Sequence, residues 1–184
     1  SEYIMSRNGV DFIPSSMMLS AVDSKLRMEM GSEKMLAGIL EPLRELYDYI
    51  IVDTCPSLGS LTVNALTAAD EVIIAVNPQL LAMMGLQDFI RTVKKVRSRL
   101  NERLSIAGIL LTMCDVRTNL CKAITEQLVE TFEGQIRIFK STIPNTVKVG
   151  ESIYYSEPLL EYAPESKVCR AYQNLAGEVD GYES

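Results

Sequence analysis

Four polar residues in this chain each stand at the end of an apolar run, and these are the positions whose chemistry matters most. Asp53 closes Tyr49-Ile50-Ile51-Val52, and Asn77 closes Glu71-Val72-Ile73-Ile74-Ala75-Val76. Asp115, after Cys114, closes the run from Ile106 to Met113, and Asn145, after Pro144, closes the run 135–143. A carboxylate at the end of such a run is what a nucleotide hydrolase sets against the water shell of Mg²⁺; a strand with a polar stop is the plainer reading. The 184 residues include no histidine, and the four cysteines form no C-x-x-C pair. Histidine-ligated zinc, Ser-His-Asp triads and histidine bases are therefore excluded. Cys55, Cys114, Cys121 and Cys169 read as reduced, mostly buried thiols. The chemistry left is that of carboxylates, lysines, backbone amides and a metal.

The elements that must position these residues alternate. Tyr49–Val52 has the unbroken apolar character of a strand buried on both faces, as in a parallel sheet. Residues 71–76, 106–113 and 135–143 are further strands. Helices are predicted from Ser15 or Ser16 through Leu26 to Met30, and from about Ser32 to Leu46 with Pro42 as a kink or an earlier break. Others are predicted over 61–69, 85–100, from Thr118 or Asn119 to Phe132, over 147–155 and over 166–179. Residues 1–8 read as irregular or as the tail of an element begun upstream, 9–14 as a short strand, and 157–164 as an exposed connection. The order β-α-β-α with long crossovers predicts one α/β domain over 1–184, with a parallel sheet and helices on both faces. Parallel strands deliver their carboxyl ends to one rim, so Asp53, Asn77, Asp115 and Asn145 are expected together there, a ligand site of the kind open α/β sheets carry.

The helix over 85–100 has an apolar stripe of Leu86, Phe89, Ile90, Val93, Val96 and Leu100. Its other face carries Arg91, Lys94, Lys95, Arg97 and Arg99, which by itself reads as a solvated face. The formal net charge of −6 argues against a general nucleic-acid coat protein but not against a local basic patch. No apolar run is long enough to cross a bilayer and no signal peptide opens the chain, so the cytoplasm is expected. A phosphate site normally needs a glycine-rich loop with a lysine and a hydroxyl, and no G-x-x-x-x-G-K-[ST] is present. Ser1 opening without a complete first β-α unit favours an N-terminal truncation.

Several stretches together resemble one family. Tyr47–Asp53 followed by Pro56-Ser57-Leu58-Gly59-Ser60-Leu61-Thr62-Val63-Asn64-Ala65-Leu66 resembles the Walker B and switch II segment of the ParA/Soj chromosome- and plasmid-partition ATPases. The resemblance continues through Leu110–Leu120, Thr142–Lys148, Glu151-Ser152 and Pro158–Tyr162, and the segment 9–16 resembles the family's middle. It covers nearly the whole chain, in the family's order. It implies a P-loop NTPase-like three-layer α/β/α fold of which this chain is roughly the C-terminal two-thirds, without the Walker A part. It implies ATP and Mg²⁺ as cofactors, with Asp53 as the catalytic Walker B acid that holds Mg²⁺ through water. Pro56, Ser57, Leu58 and Gly59 would be the switch, and Thr112, Met113, Asp115, Pro144 and Asn145 would border the adenine. Arg117 and Lys148 would contact DNA phosphates. The partners implied are a ParB-like centromere-binding protein, nonspecific DNA, and a second copy in an ATP-bound homodimer, with no membrane.

Plainer readings stand beside these: Asp115 as a turn residue, Arg117 and Lys148 as ordinary surface cations, Met113 as core filler. Cys55 takes the place of the family's first proline, and Asn145 stands where arginine is common. Without a P-loop lysine the chain alone is not expected to hydrolyse ATP. A non-catalytic partner-binding relative is one alternative. A MinD-like division-site ATPase is another, although the acidic end 176–184 lacks that relative's basic amphipathic tail.

Overall fold

A computed structural model describes residues 3–16, 18–26, 28–55, 57–115 and 117–181. They fall into two compact units, Ser1–Ala69 and Asp70–Ser184.

In the first unit, β1 (Met5–Arg7) and β2 (Val10–Phe12) pair antiparallel. Asn8 and Gly9 join them with φ of 53° and 76°, the two left-handed residues of a primed hairpin turn. Residues 1–8 were expected to be irregular, and β1 corrects this; the Asn8-Gly9 pair is the signal for it. The helix α1 (Met18–Leu26) starts where Ser16 Oγ accepts the Met18 amide at 3.3 Å. It ends four residues before Met30, which is fully exposed. The predicted helix from Ser32 is broken, not kinked. A 3₁₀ turn (Ser32–Lys34), α2 (Met35–Leu40) and a second 3₁₀ turn (Glu41–Leu43) follow one another, with Pro42 opening the last. The helix α3 (Ser60–Ala68) buries Ala65, Leu66 and Ala68, and Arg44 Nη2 donates to the Ala68 carbonyl at 2.8 Å, at the helix end that favours a cation.

The run 49–53 forms no strand. Ile51 is 90% exposed, and Tyr49, Ile50 and Val52 are exposed with it. The cause is topological. A strand exists only through ladder bonds to a neighbour, and the two strands of this unit, three residues each, are paired to one another. The expectation of a doubly buried strand ending at Asp53 is corrected accordingly.

The second unit is a parallel sheet in the order β3-β4-β5, from Glu71–Val76, Ser105–Cys114 and Ile138–Pro144. The helix α4 (Leu80–Arg99) connects β3 to β4, and α5 (Asn119–Phe132) connects β4 to β5. The helix α4 begins at Leu80, five residues before the predicted start, because Pro78 rather than Gly85 marks the break. After β5 come α6 (Val147–Tyr155), α7 (Leu159–Tyr162) and α8 (Lys167–Val179). The helix α7 lies within the stretch expected to be an open connection. Its amides at Glu161 and Tyr162 both reach the Pro158 carbonyl at 2.9 Å.

Side chains of β4 alternate, and this builds three layers. Ile109 and Leu111 face Leu86 and Ile90 of α4 and Cys121, Leu128 and Phe132 of α5. Leu110 faces the opposite way and packs with Phe139, Ile143 and Val168, with Val149, Leu159 and Leu175 around them. The sheet is thus covered on both faces, as its continuous apolar runs require. At the β5 edge, the Glu178 carboxylate of α8 accepts the amides of Lys140 at 2.9 Å and Ser141 at 2.6 Å.

Gly108 permits the β4–β5 approach. A Cβ there would stand 2.8 Å from the Phe139 ring and 3.0 Å from the Arg137 carbonyl, whose oxygen accepts the Ile109 amide at 2.8 Å. Neither neighbour is free to retreat, since Phe139 is buried and the carbonyl is part of the ladder. Gly108→Ala is expected to destabilise the protein by about 1–3 kcal/mol, the usual cost of overpacking. Urea unfolding measures this, and an unchanged midpoint would show that the strands yield there.

Candidate functional site

Three of the four residues that close apolar runs meet at the carboxyl edge of the sheet. Cys114 and Pro144 are register partners at the ends of β4 and β5, and the Asn145 amide donates to the Cys114 carbonyl at 3.0 Å. Asn77, just past β3, places Nδ2 3.9 Å from Met113 Sδ. Thr112, Met113, Asp115, Pro144 and Asn145, all assigned to the adenine border from the sequence, therefore lie together. Asp53 and the switch residues Ser57, Leu58 and Gly59 belong to the first unit. Pro56 lies outside the described residues.

The end of β4 is bent. Met113 has φ of 54°, an uncommon conformation for a residue other than glycine, and the ladder to β5 shifts register between Leu111 and Cys114. The bend throws the Met113 side chain outward, 63% exposed, so this residue is not core filler. Strain of this kind costs free energy and persists where the surroundings impose it. Hydropathy gave no sign of the bend, because methionine at the end of an apolar run reads as core. Beneath it, burial and the adjoining Cys121 thiol push the Cys114 thiol up, so Cys114 stays a protonated member of the core.

Past the bend, Asp115 organises its loop. Its Oδ1 accepts the Arg117 amide at 3.2 Å, and its carbonyl accepts both the Thr118 amide at 3.0 Å and Thr118 Oγ1 at 2.9 Å. Thr118 Oγ1 in turn accepts the Cys121 amide at 3.2 Å and caps α5. The turn reading of Asp115 holds. The Arg117 guanidinium grips the carboxylate with two bonds of 2.9 Å, Nε to Oδ1 and Nη2 to Oδ2. Lys148, at the start of α6, is also engaged. Its Nζ lies 2.9 Å from Glu151 Oε2, which also accepts the Tyr162 hydroxyl at 3.0 Å, and the ammonium stands 5.6 Å from the centre of the Tyr162 ring. Both cations assigned to DNA contact are thus paired with carboxylates. The spacings Asp115-x-Arg117 and Lys148-x-x-Glu151 were the available signals for these pairs.

In the first unit, α3 begins directly after Ser57, Leu58 and Gly59, and Thr62 ties back to Ser57. Asp23 Oδ1 on α1 accepts the Leu61 amide at 3.3 Å and would stand 3.0 Å from any Cβ at Gly59, while Thr62 Oγ1 donates to the Ser57 carbonyl at 2.5 Å. Cys55, exposed, has its Sγ 3.1 Å from Ser57 Oγ, a contact that lowers its thiol pKa. Asp53 is exposed. Among the described residues no three His, Cys, Asp or Glu side chains gather to hold a metal.

The hydrogen bonds from Arg117 hold the Asp115 carboxyl down at about 2, against an ordinary 3.8. A carboxyl depressed in this way favours the folded loop above the ordinary value, and that contribution is lost as pH falls toward 2. Carboxyl ¹³C titration of Asp115 is expected to give a midpoint near 2, returning toward 3.8 in Arg117→Gln. A midpoint already near 3.8 in the parent protein would show that the pair does not persist in water.

The family model described as AAA domain matches residues 1–106, more than half of the chain. The sporulation initiation inhibitor protein Soj of Bacillus subtilis is 39% identical over 170 residues, covering 92% of this chain and 66% of that protein. The chromosome-partitioning ATPase Soj of Treponema pallidum is 40% identical over 167 residues, covering 91% of this chain and 65% of that protein. The chain therefore spans just under two thirds of the length of these two relatives. Among solved structures, cobyrinic acid a,c-diamide synthase from Mycobacterium smegmatis, with bound ATP analog and magnesium, superposes with a TM-score of 0.75 at 28% identity. That match covers 98% of this chain and 68% of that one. On the fold, the family model and these relatives together, the chain belongs to the ParA/Soj family of partition ATPases.

Proposed function

We propose that this chain carries the metal-side and adenine-side parts of a Mg²⁺-ATP site in a ParA-type ATPase that segregates DNA. The observation that supports this most is the shared edge of β3, β4 and β5, where Asn77, Met113, Asp115 and Asn145 stand side by side in a chain of this family. Thr112, Met113, Asp115, Pro144 and Asn145 border the base. The bend at Met113 turns that side chain out of the sheet and toward a ligand lying on the edge. Bound Mg²⁺ supplies neutralisation of the charge that develops on the phosphates. Asp53 accepts hydrogen bonds from that ion's water shell. Ser57, Leu58 and Gly59, with Pro56, form the switch; the tie from Thr62 to the Ser57 carbonyl sets its resting position. The chain spans just under two thirds of the length of its Soj relatives, and in this reading it serves as the C-terminal part of an ATPase domain whose turnover draws on a phosphate-binding loop. Arg117 and Lys148 contact DNA by exchanging their carboxylate partners for phosphate. The remaining partners are a ParB-like centromere-binding protein and, with ATP bound, a second copy. Action is in the cytoplasm, on the nucleoid; among the described residues no helix is long and apolar enough to cross a membrane.

The test joins this chain to the phosphate-binding segment of its family and measures ATP turnover with and without DNA. DNA-stimulated turnover is expected, and none above background would overturn the reading. In the same protein Asp53→Ala is expected to abolish Mg²⁺-dependent turnover while the circular dichroism spectrum stays unchanged, since Asp53 is exposed. Turnover that survives the substitution removes Asp53 from the metal role.

A further inference from the structure

The acidic chain has one helix face built almost wholly of cations. Arg91, Lys94, Lys95, Arg97 and Arg99 on α4 are all exposed, and from Phe89 to Asn101 there is no carboxylate. Asp88, the single acid of the helix, pairs with Arg91 at 3.2 Å. Lys94, Lys95, Arg97 and Arg99 have no ion pair among the described residues, whereas Arg117 and Lys148 are both held by carboxylates. The cations free to meet an anion are thus not the ones the family resemblance points to. Favourable interaction with the helix dipole accounts for Arg97 and Arg99 in the last turn. It does not account for Arg91, Lys94 and Lys95, which lie further back.

We infer that the outward face of α4 is a binding surface for the phosphodiester backbone of a nucleic acid, engaged through Lys94, Lys95 and Arg99. Lys95 and Arg99 stand four residues apart, a rise of about 6 Å, with Lys94 beside Lys95 on the same face. A nucleic-acid strand offers a dense, regular line of negative charges, and a row of cations meets several of them at once. A membrane fits less well. Basic helices that lie on bilayers insert an apolar face, and here Leu86, Ile90, Val93 and Val96 are buried in the protein. An acidic protein partner fits less well too, because the face carries no aromatic or aliphatic anchor of the kind that dominates protein interfaces. The contact is with phosphates and is therefore independent of base sequence. This inference rests on the reading of the protein as one that works on DNA, and it assigns that DNA a surface of its own.

The test uses the full 184-residue chain and fluorescence anisotropy with a labelled mixed-sequence duplex of about 30 base pairs, titrated at several salt concentrations. The parent chain is expected to bind at low salt. The triple change Lys94→Gln, Lys95→Gln, Arg99→Gln is expected to weaken binding about tenfold or more and to reduce the salt slope by between about 2 and 3. The charge-keeping pair Lys94→Arg, Lys95→Arg is expected to bind as the parent does, which separates lost charge from a damaged helix. If the parent binds and the triple variant binds equally well, the α4 assignment falls while the DNA reading stands. If the parent does not bind at all, the α4 assignment falls, while the DNA reading is decided separately by the DNA-stimulated turnover of the joined protein. If vesicles containing phosphatidylserine displace the duplex and the triple variant loses the vesicles as well, the surface is a membrane site and the nucleic-acid assignment is overturned.

Discussion

Parallel pairing is the constraint on which the site depends. Strands hydrogen-bonded in parallel run the same way, so whatever residue follows each one is carried to the same side of the sheet. Here β3, β4 and β5 bring Asn77, Asp115 and Asn145 to one edge although up to 68 residues separate them, counting from 77 to 145. The helices α4 and α5 are the crossovers this geometry demands, and their apolar stripes close one face of the sheet. Nothing at the edge needs to attract anything else there; the topology has already assembled it.

The close β4–β5 approach and the bend at Met113 belong to the same strand. Near its start, Gly108 lets the Phe139 ring lie against the backbone. Near its end, the register shift and the left-handed Met113 release β4 from the ladder. One strand therefore moves from tight packing to a deliberate irregularity over a few residues. The first feature fixes where the edge is. The second decides what side chain it presents.

Much of this could be read from residue types. The strand 71–76, the helices from Thr118 and over 147–155, and the buried stripe of α4 follow from periodicity and capping residues, because in each the local preference and the tertiary partner agree. Tyr49–Val52 shows the opposite. Its apolar run states what the residues would favour if covered, but pairing is a property of a neighbour, and sequence pattern cannot supply one. The engagement of Arg117 and Lys148 was likewise hidden, since a cation in a motif looks the same whether its charge is free or already neutralised by Asp115 or Glu151. The Met113 conformation had no sequence signal beyond its position beside the strand end.

The Glu178 carboxylate on β5 has a consequence for the far end of the chain. An edge strand with open amides invites another strand to dock, and side-chain charge is one of the ways proteins prevent it. Here a single acid near the end of α8 occupies the amides of Lys140 and Ser141. The last helical turn thus acts as a guard against self-association, and shortening α8 by a few residues would leave a folded sheet with an adhesive border.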